Sequence, residues 1–206
     1  METLVLAGNY PGVIEQALEI LSHGGLVAFP TDTVYGVGGL AFDPHTIQEI
    51  FLAKGRPAEK AIPILLGDRA QLPLVTTGIN PLGQRLAERF WPGPLTLVVR
   101  RHPNLPENIS MLATIGVRMP DHPLAIELLK RAGPLAVSSA NLSGASDSSS
   151  VQEVLAQLGG RIPLILDGGR TAGGQPSTVV DCTGPEPVIL RQGPVTLEQI
   201  QAALFT

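Results

Sequence analysis

Of the 14 lysines and arginines in the 206 residues, three stand close together in Lys54-Gly55-Arg56-Pro57-Ala58-Glu59-Lys60. Charge clusters beside helices are usually solvated. This one lies in a Gly-Pro loop with two cations one residue apart, which suits a polyanion: lysine serves as a point charge and arginine as a planar fork for phosphate oxygens. Arg118 and Arg191 lie in or beside apolar, strand-like runs, where an unpaired charge is costly. Each needs an anionic partner, either a structural carboxylate such as Asp181 or a ligand. Hydroxyls gather in Thr31-Asp32-Thr33 after Pro30, in Ser138-Ser139-Ala140-Asn141 and in Ser177-Thr178. Each of these follows an apolar run or a glycine-rich loop, so each either caps a turn or bonds a ligand.

Other chemistries fit poorly. Four scattered histidines and the single Cys182 give no metal-ligand spacing, no internal disulfide and no base for a Ser-His-Asp arrangement. Gly36-Val37-Gly38-Gly39-Leu40-Ala41 matches the dinucleotide fingerprint, but the next helix starts only at Asp43-Pro44, so the glycines do not open it. They read instead as loop backbone that approaches a bound group or turns with positive φ. A net charge of −4 argues against a broad nucleic-acid surface. No apolar run reaches the roughly 18 to 20 residues of a membrane span, and no leader peptide is visible, so the expected compartment is the cytoplasm, with no membrane partner.

The elements that must hold these groups alternate. Ile14, Ala17, Leu18 and Leu21 have helical spacing and precede a buried strand, Leu26 to Phe29. Asp43-Pro44 and Asn80-Pro81 are cap-and-proline helix starts, and Asp121 caps a third helix. Strands are expected over 62–66, 95–99, 115–119, 135–137 and 162–166, with 179–180 and 188–190 pairing across a turn. Ser150 with Glu153, and Thr196 with Gln199, form capping-box patterns. Residues 143–150 read as a mobile loop. The whole predicts one α/β domain over 1–206, a twisted mixed parallel and antiparallel sheet with flanking helices.

Taken in order, Phe29-Pro-Thr-Asp-Thr-Val-Tyr-Gly36, Lys54-Gly-Arg-Pro57, Trp91-Pro-Gly-Pro94, Val117-Arg-Met-Pro120, Ser138-Ser-Ala-Asn-Leu-Ser143, Asp167-Gly-Gly169, Pro176-Ser-Thr178 and Leu190-Arg-Gln-Gly193 resemble the threonylcarbamoyl-AMP synthase family, the YrdC-like domain. The likeness is to the short form, without the extra carboxyl-terminal domain of longer relatives. It implies a nucleotidyltransferase that takes ATP, L-threonine and bicarbonate to threonylcarbamoyl-AMP and pyrophosphate, for threonylcarbamoyladenosine in tRNA. Magnesium would be held through the ATP phosphates, with no protein metal site, and a downstream tRNA-modifying complex would receive the product, with weak tRNA contact at most. The resemblance implies Lys54 and Arg56 as catalytic residues. It implies Lys54, Arg56, Lys60, Thr114, Ser139, Asn141 and Arg191 at ATP, Thr33, Arg118 and Ser177 at threonine, and Asp147 as a weaker nucleotide contact. Leu65 stands where some relatives carry a threonine-contacting histidine, and Ala61 replaces a frequent proline. The alternative is a non-catalytic relative that binds RNA or senses nucleotide.

Overall fold

In the computed structural model, which describes residues 2–204, the strands form one ten-stranded sheet. In chain order the elements are β1 (Leu4–Ala7), α1 (Val13–Ser22), β2 (Val27–Phe29), β3 (Gly36–Leu40), α2 (Pro44–Lys54), β4 (Ile64–Leu65), a short α3 (Leu72–Val75), α4 (Pro81–Phe90), β5 (Leu95–Arg100) and β6 (Thr114–Arg118). There follow α5 (Pro123–Ala132), β7 (Leu135–Ser139), α6 (Val151–Leu158), β8 (Leu164–Asp167), β9 (Thr178–Asp181), β10 (Val188–Arg191) and α7 (Leu197–Leu204). Across the sheet the order is β1-β8-β2-β3-β7-β4-β6-β5-β9-β10, with parallel pairs at β1–β8, β8–β2, β4–β6 and β5–β9 and antiparallel pairs elsewhere. The mixed sheet agrees with the expectation from the sequence. Among the described residues no helix is long and apolar enough to cross a membrane.

Capping side chains set several helix starts as read. Asp43 accepts from the His45 N–H and Asn80 from that of Gly83, each followed by proline at the first turn, where a missing N–H costs nothing. Thr196 and Gln199 bond each other's backbone N–H groups reciprocally. Asp121 does not cap α5; His122 takes that position without a side-chain bond, and the Asp121 N–H donates to Asp32 instead.

The glycine stretch departs most from its reading. Gly36 to Leu40 is not a loop but strand β3, paired on both sides, and none of Gly36, Gly38 and Gly39 has positive φ. They are glycines for close packing: a Cβ on Gly38 would collide with Ala136 O, and one on Gly39 with the Thr46 side chain of α2. The loop expected to be mobile is tied down. Ser148 is fully buried and donates to Ala140 O, Tyr35 N donates to Ser148 O, and Gln157 holds Leu142 N and Ser146 O.

The two faces of the sheet are covered unequally. One face packs against α2, α4, α6 and α7 through Ile47, Ile50, Leu86, Val154 and Ile200 on to Ala28, Leu97, Val117 and Val180. On the other face α1 and α5 cover the β1-β8-β2 end, with Ala17, Leu21, Leu128 and Leu129 against Phe29, Leu164 and Leu166. Among the described residues no helix lies over the far end of that face, and the candidate site is there.

Candidate functional site

Alternation along strands aims the lining residues. In β5, Leu95, Leu97 and Val99 enter the helix-packed core, so Thr96 and Val98 face the other way. In β6 the same rule sends Ile115 and Val117 inward and Gly116 and Arg118 outward. These four, with Thr31, Thr33, Leu65, Ser139, Ser177, Val179, Arg56 and Arg191, line a cavity of about 310 Å³. That volume lies within the roughly 300–1,000 Å³ usual for small-molecule sites. Its wall is part apolar, from Leu65, Val98, Val137 and Val179, and part hydroxyl and guanidinium.

Three arginines converge here by different routes. Arg118 projects from β6 and is only 6% exposed; Nε donates to Gly93 O at 3.0 Å, Nη1 to Thr33 Oγ1 at 2.9 Å and Nη2 to Asp32 Oδ1 at 2.5 Å. Two of its five N–H donors remain. The hydrogen bonds run on in one direction. Thr31 Oγ1 donates to Val34 O at 2.6 Å, so in the 3.0 Å contact between the two threonines Thr33 is the donor, while its oxygen accepts from Arg118. Arg56 leaves the loop after α2 and is held by the carbonyls of Lys60 and Ala61. Arg191, from edge strand β10, reaches back over β9 to grip Ser177 O with Nε and Nη2 and touches Ser177 Oγ at 3.2 Å. Ser177 Oγ and Thr96 Oγ1 stand 2.8 Å apart, and one bond between two hydroxyls leaves one O–H free.

Electrostatics make this an anion site. Among the described residues only Arg118 of the three arginines has a carboxylate partner, and that partner is Asp32, not Asp181, which bonds the Thr183 backbone and hydroxyl. Arg56 and Arg191 have no ion pair among the described residues. Burial lowers the proton affinity of all three arginines, and the charge of Arg191 lowers that of Arg56 and Arg118 further. Three like charges with one ion pair between them among the described residues are stabilised by an incoming anion.

Of the residues named from the sequence, the fold brings Thr33, Arg56, Arg118, Ser139, Ser177 and Arg191 to the cavity. Lys54, Asn141, Lys60, Thr114 and Asp147 do not line it. Lys54 is 2% exposed at the end of α2, and its Nζ donates to the carbonyls of Ser139 and Asn141 and, at 3.5 Å, to Asn141 Oδ1. Burial, aided by the Arg56 charge, brings its ammonium down to about 8. Asn141 turns its amide to Leu142 O and Ala145 O. Lys60 is exposed and offers the site only its carbonyl, to Arg56. Thr114 lies on the lining face of β6 but beyond Gly116, paired with Arg100. Asp147 makes no ion pair among the described residues, though its charge acts on Lys54 and Arg191. Thr96, Val98, Gly116 and Val179 were not singled out in the sequence; the signal for Thr96 was a hydroxyl breaking the apolar run Leu95 to Val99.

The family Sua5/yciO/yrdC, described as telomere recombination, matches residues 19–193. The chain belongs to this family. It is 42% identical over 194 residues to threonylcarbamoyl-AMP synthase of Bacillus subtilis, covering 93% of this chain and 56% of that protein. It is 39% identical over 192 residues to a putative threonylcarbamoyl-AMP synthase of Mycobacterium tuberculosis, covering 93% and 88%. The crystal structure of Pyrococcus abyssi Sua5 complexed with L-threonine superposes with a TM-score of 0.94 at 39% identity, covering 99% of this chain and 61% of that one. The chain thus spans little more than half the length of the Bacillus relative.

Proposed function

We propose that this chain is a threonylcarbamoyl-AMP synthase that joins ATP, L-threonine and bicarbonate. The observation that carries the reading is the cluster of Arg56, Arg118 and Arg191 around one cavity with a single ion-paired carboxylate among the described residues. A triphosphate and an amino-acid carboxylate would supply the missing negative charge. Arg118, with two N–H groups left and the free O–H of the Thr96–Ser177 pair nearby on the same wall, suits the threonine end. Arg56 and Arg191, on the loop and edge strand, suit the phosphates.

The chemistry asks little covalent work of the protein. The threonine amine adds to bicarbonate with loss of water to give a carbamate; a carbamate oxygen then attacks the α-phosphorus of ATP, and pyrophosphate leaves with the bonding pair. Held guanidiniums would align attacker and leaving group and stabilise charge gathering on the phosphates. Among the described residues no group of three or more His, Cys, Asp or Glu is placed to hold a metal. The donor set therefore suits a magnesium ion that arrives on the triphosphate, held by phosphate oxygens and water, where it would neutralise phosphate charge. In this reading the protein is a nucleotidyltransferase of the cytoplasm whose product passes to a tRNA-modifying complex. The test is pyrophosphate release from ATP. It should require both threonine and bicarbonate and fall at least a hundredfold in Arg56→Ala. Turnover indifferent to threonine, or tight salt-sensitive tRNA binding without turnover, would overturn it.

A further inference from the structure

We infer that Asp32 is a positioning residue for substrate binding: through its carboxylate it fixes and neutralises the Arg118 guanidinium that would receive the threonine carboxylate. This rests on the reading just given. Asp32 sits between Thr31 and Thr33 in the bend after β2, and unlike them it is absent from the cavity wall. One oxygen does all of its bonding. Asp32 Oδ1 accepts from Arg118 Nη2 and, at 3.0 Å, from the Asp121 N–H, and so ties the loop after β2 to the end of β6 and to the turn that enters α5.

The second oxygen carries the inference further. Asp32 Oδ2 is buried and has no hydrogen-bond partner among the described residues. An asparagine would make the same two bonds through Oδ1, so bonding alone does not account for a carboxylate here. What the second oxygen adds is negative charge beside a buried guanidinium that also feels the positive charge of Arg191. No other group neutralises Arg118: among the described residues its other two partners are a carbonyl and a hydroxyl. The neighbouring His122, whose Nδ1 is likewise buried and unpartnered, is held toward its neutral form by burial. With Asp32 fixed on one edge and Thr33 and Gly93 on the others, Arg118 is set before a ligand arrives, and little rotamer freedom remains to be lost on binding.

The test pairs Asp32→Asn and Asp32→Ala with Arg118→Lys, using calorimetric titration of L-threonine in the presence of ATP and magnesium, and of ATP alone. Asp32→Ala, which removes the tether, should weaken threonine at least tenfold while ATP changes less than threefold, and Asp32→Asn, which keeps both bonds and removes only a charge that competes with the ligand carboxylate, should weaken threonine less than Asp32→Ala. In the Arg118→Lys background, Asp32→Ala should add less than a twofold loss, because the two residues act as one. A merely structural role would lower both affinities together and add in full to Arg118→Lys. Nitrogen NMR of the arginine Nε–H groups gives a readout that needs no substrate. The buried Arg118 Nε–H should exchange with water at least ten times faster in Asp32→Ala, and unchanged exchange overturns the inference. Failure of the wild type to bind threonine, with that exchange difference intact, would overturn the proposed function and leave Asp32 as the residue that positions Arg118.

Discussion

Two ends of one sheet face obey the same alternation and carry different residues. At the covered end Val27 and Phe29 of β2 and Leu164 and Leu166 of β8 are wholly buried beneath α1 and α5. At the open end the equivalent positions hold Thr96 and Val98 of β5, Gly116 and Arg118 of β6 and Val179 of β9. The backbone barely distinguishes these strands, since β5, β6 and β9 form as regular a ladder as β1, β8 and β2; the register shifts at Ile189/Arg191, in edge strand β10. What differs is what would have met a helix. Large apolar side chains have partly given way to the Thr96 hydroxyl, held by Ser177, to Gly116 and to Arg118, held by Gly93, Thr33 and Asp32, so a rigid sheet presents polar groups from regular strands. Changes at the covered end should therefore be read in stability, and changes at the open end in ligand affinity.

The largest expected effect lies at the covered end. Leu166→Ala removes a wholly buried side chain between α1, α5 and the sheet, and should cost about 2–5 kcal/mol in urea unfolding. Threonine affinity of the folded fraction should stay within about twofold, or about 0.4 kcal/mol. A larger loss would mean that the two ends are not separable.

Next in size is Lys54, which lies under the rim of the open end. Its ammonium comes down from an ordinary 10.5 to about 8 in the folded protein. Between those values the unfolded chain keeps the proton and the folded chain has released it, so the unfolded state binds more protons. This residue's contribution to stability therefore rises with pH across that window, by about 1.4 kcal/mol per unit, and below pH 8 the cost of the buried charge is present in full. Comparing urea unfolding of the wild type and Lys54→Met at pH 7 and pH 9.5, the gap should move by about 2 kcal/mol in favour of the wild type at the higher pH. An unchanged gap would place the Lys54 charge in solvent-like surroundings.

These examples mark where sequence reasoning reached and where it stopped. Caps and helical periodicity act between neighbours, so Asp43, Asn80 and the Thr196–Gln199 box were legible. The arginines were legible as costly charges, but their partners were not, because Asp32 and Arg118 are 86 positions apart and meet only through the sheet order. Glycine was misleading: in Gly36 to Gly39 the absent side chains make room for Ala136 and Thr46, a tertiary reason that local turn chemistry does not contain. Lys54 illustrates the same limit from the other side. Its place in a cationic loop was plain, yet the last turn of α2 aims it at two carbonyls rather than at the cavity.

Gly116 sharpens the comparison further. A Cβ there would stand 3.1 Å from Thr96 Cγ2 and 3.3 Å from Pro63 Cβ, contacts those neighbours can relax. Gly116→Val gives the strand a residue it prefers and fills cavity space instead of core. Thermal stability should hold or rise while affinity for threonine with ATP drops at least tenfold, about 1.4 kcal/mol. A fall in stability with affinity unchanged would show that this position belongs to the packing and not to the pocket.

The smallest effect isolates one hydroxyl. Thr96→Val keeps the branched shape and removes Oγ1, leaving Ser177 Oγ with Arg191 as its only partner among the described residues. Because Ser177 can then turn its own O–H toward the cavity, the free hydroxyl of the pair is conserved and only its tether is lost. The expected change is about 1 kcal/mol, the net value of one neutral hydrogen bond, read as a roughly fivefold weaker threonine titration with unfolding little altered. Serine and threonine titrated side by side add the decisive contrast: if the Thr96–Ser177 pair meets the substrate hydroxyl, which both amino acids carry, the two affinities should fall by the same factor. Unequal losses would instead put the substrate methyl against Thr96.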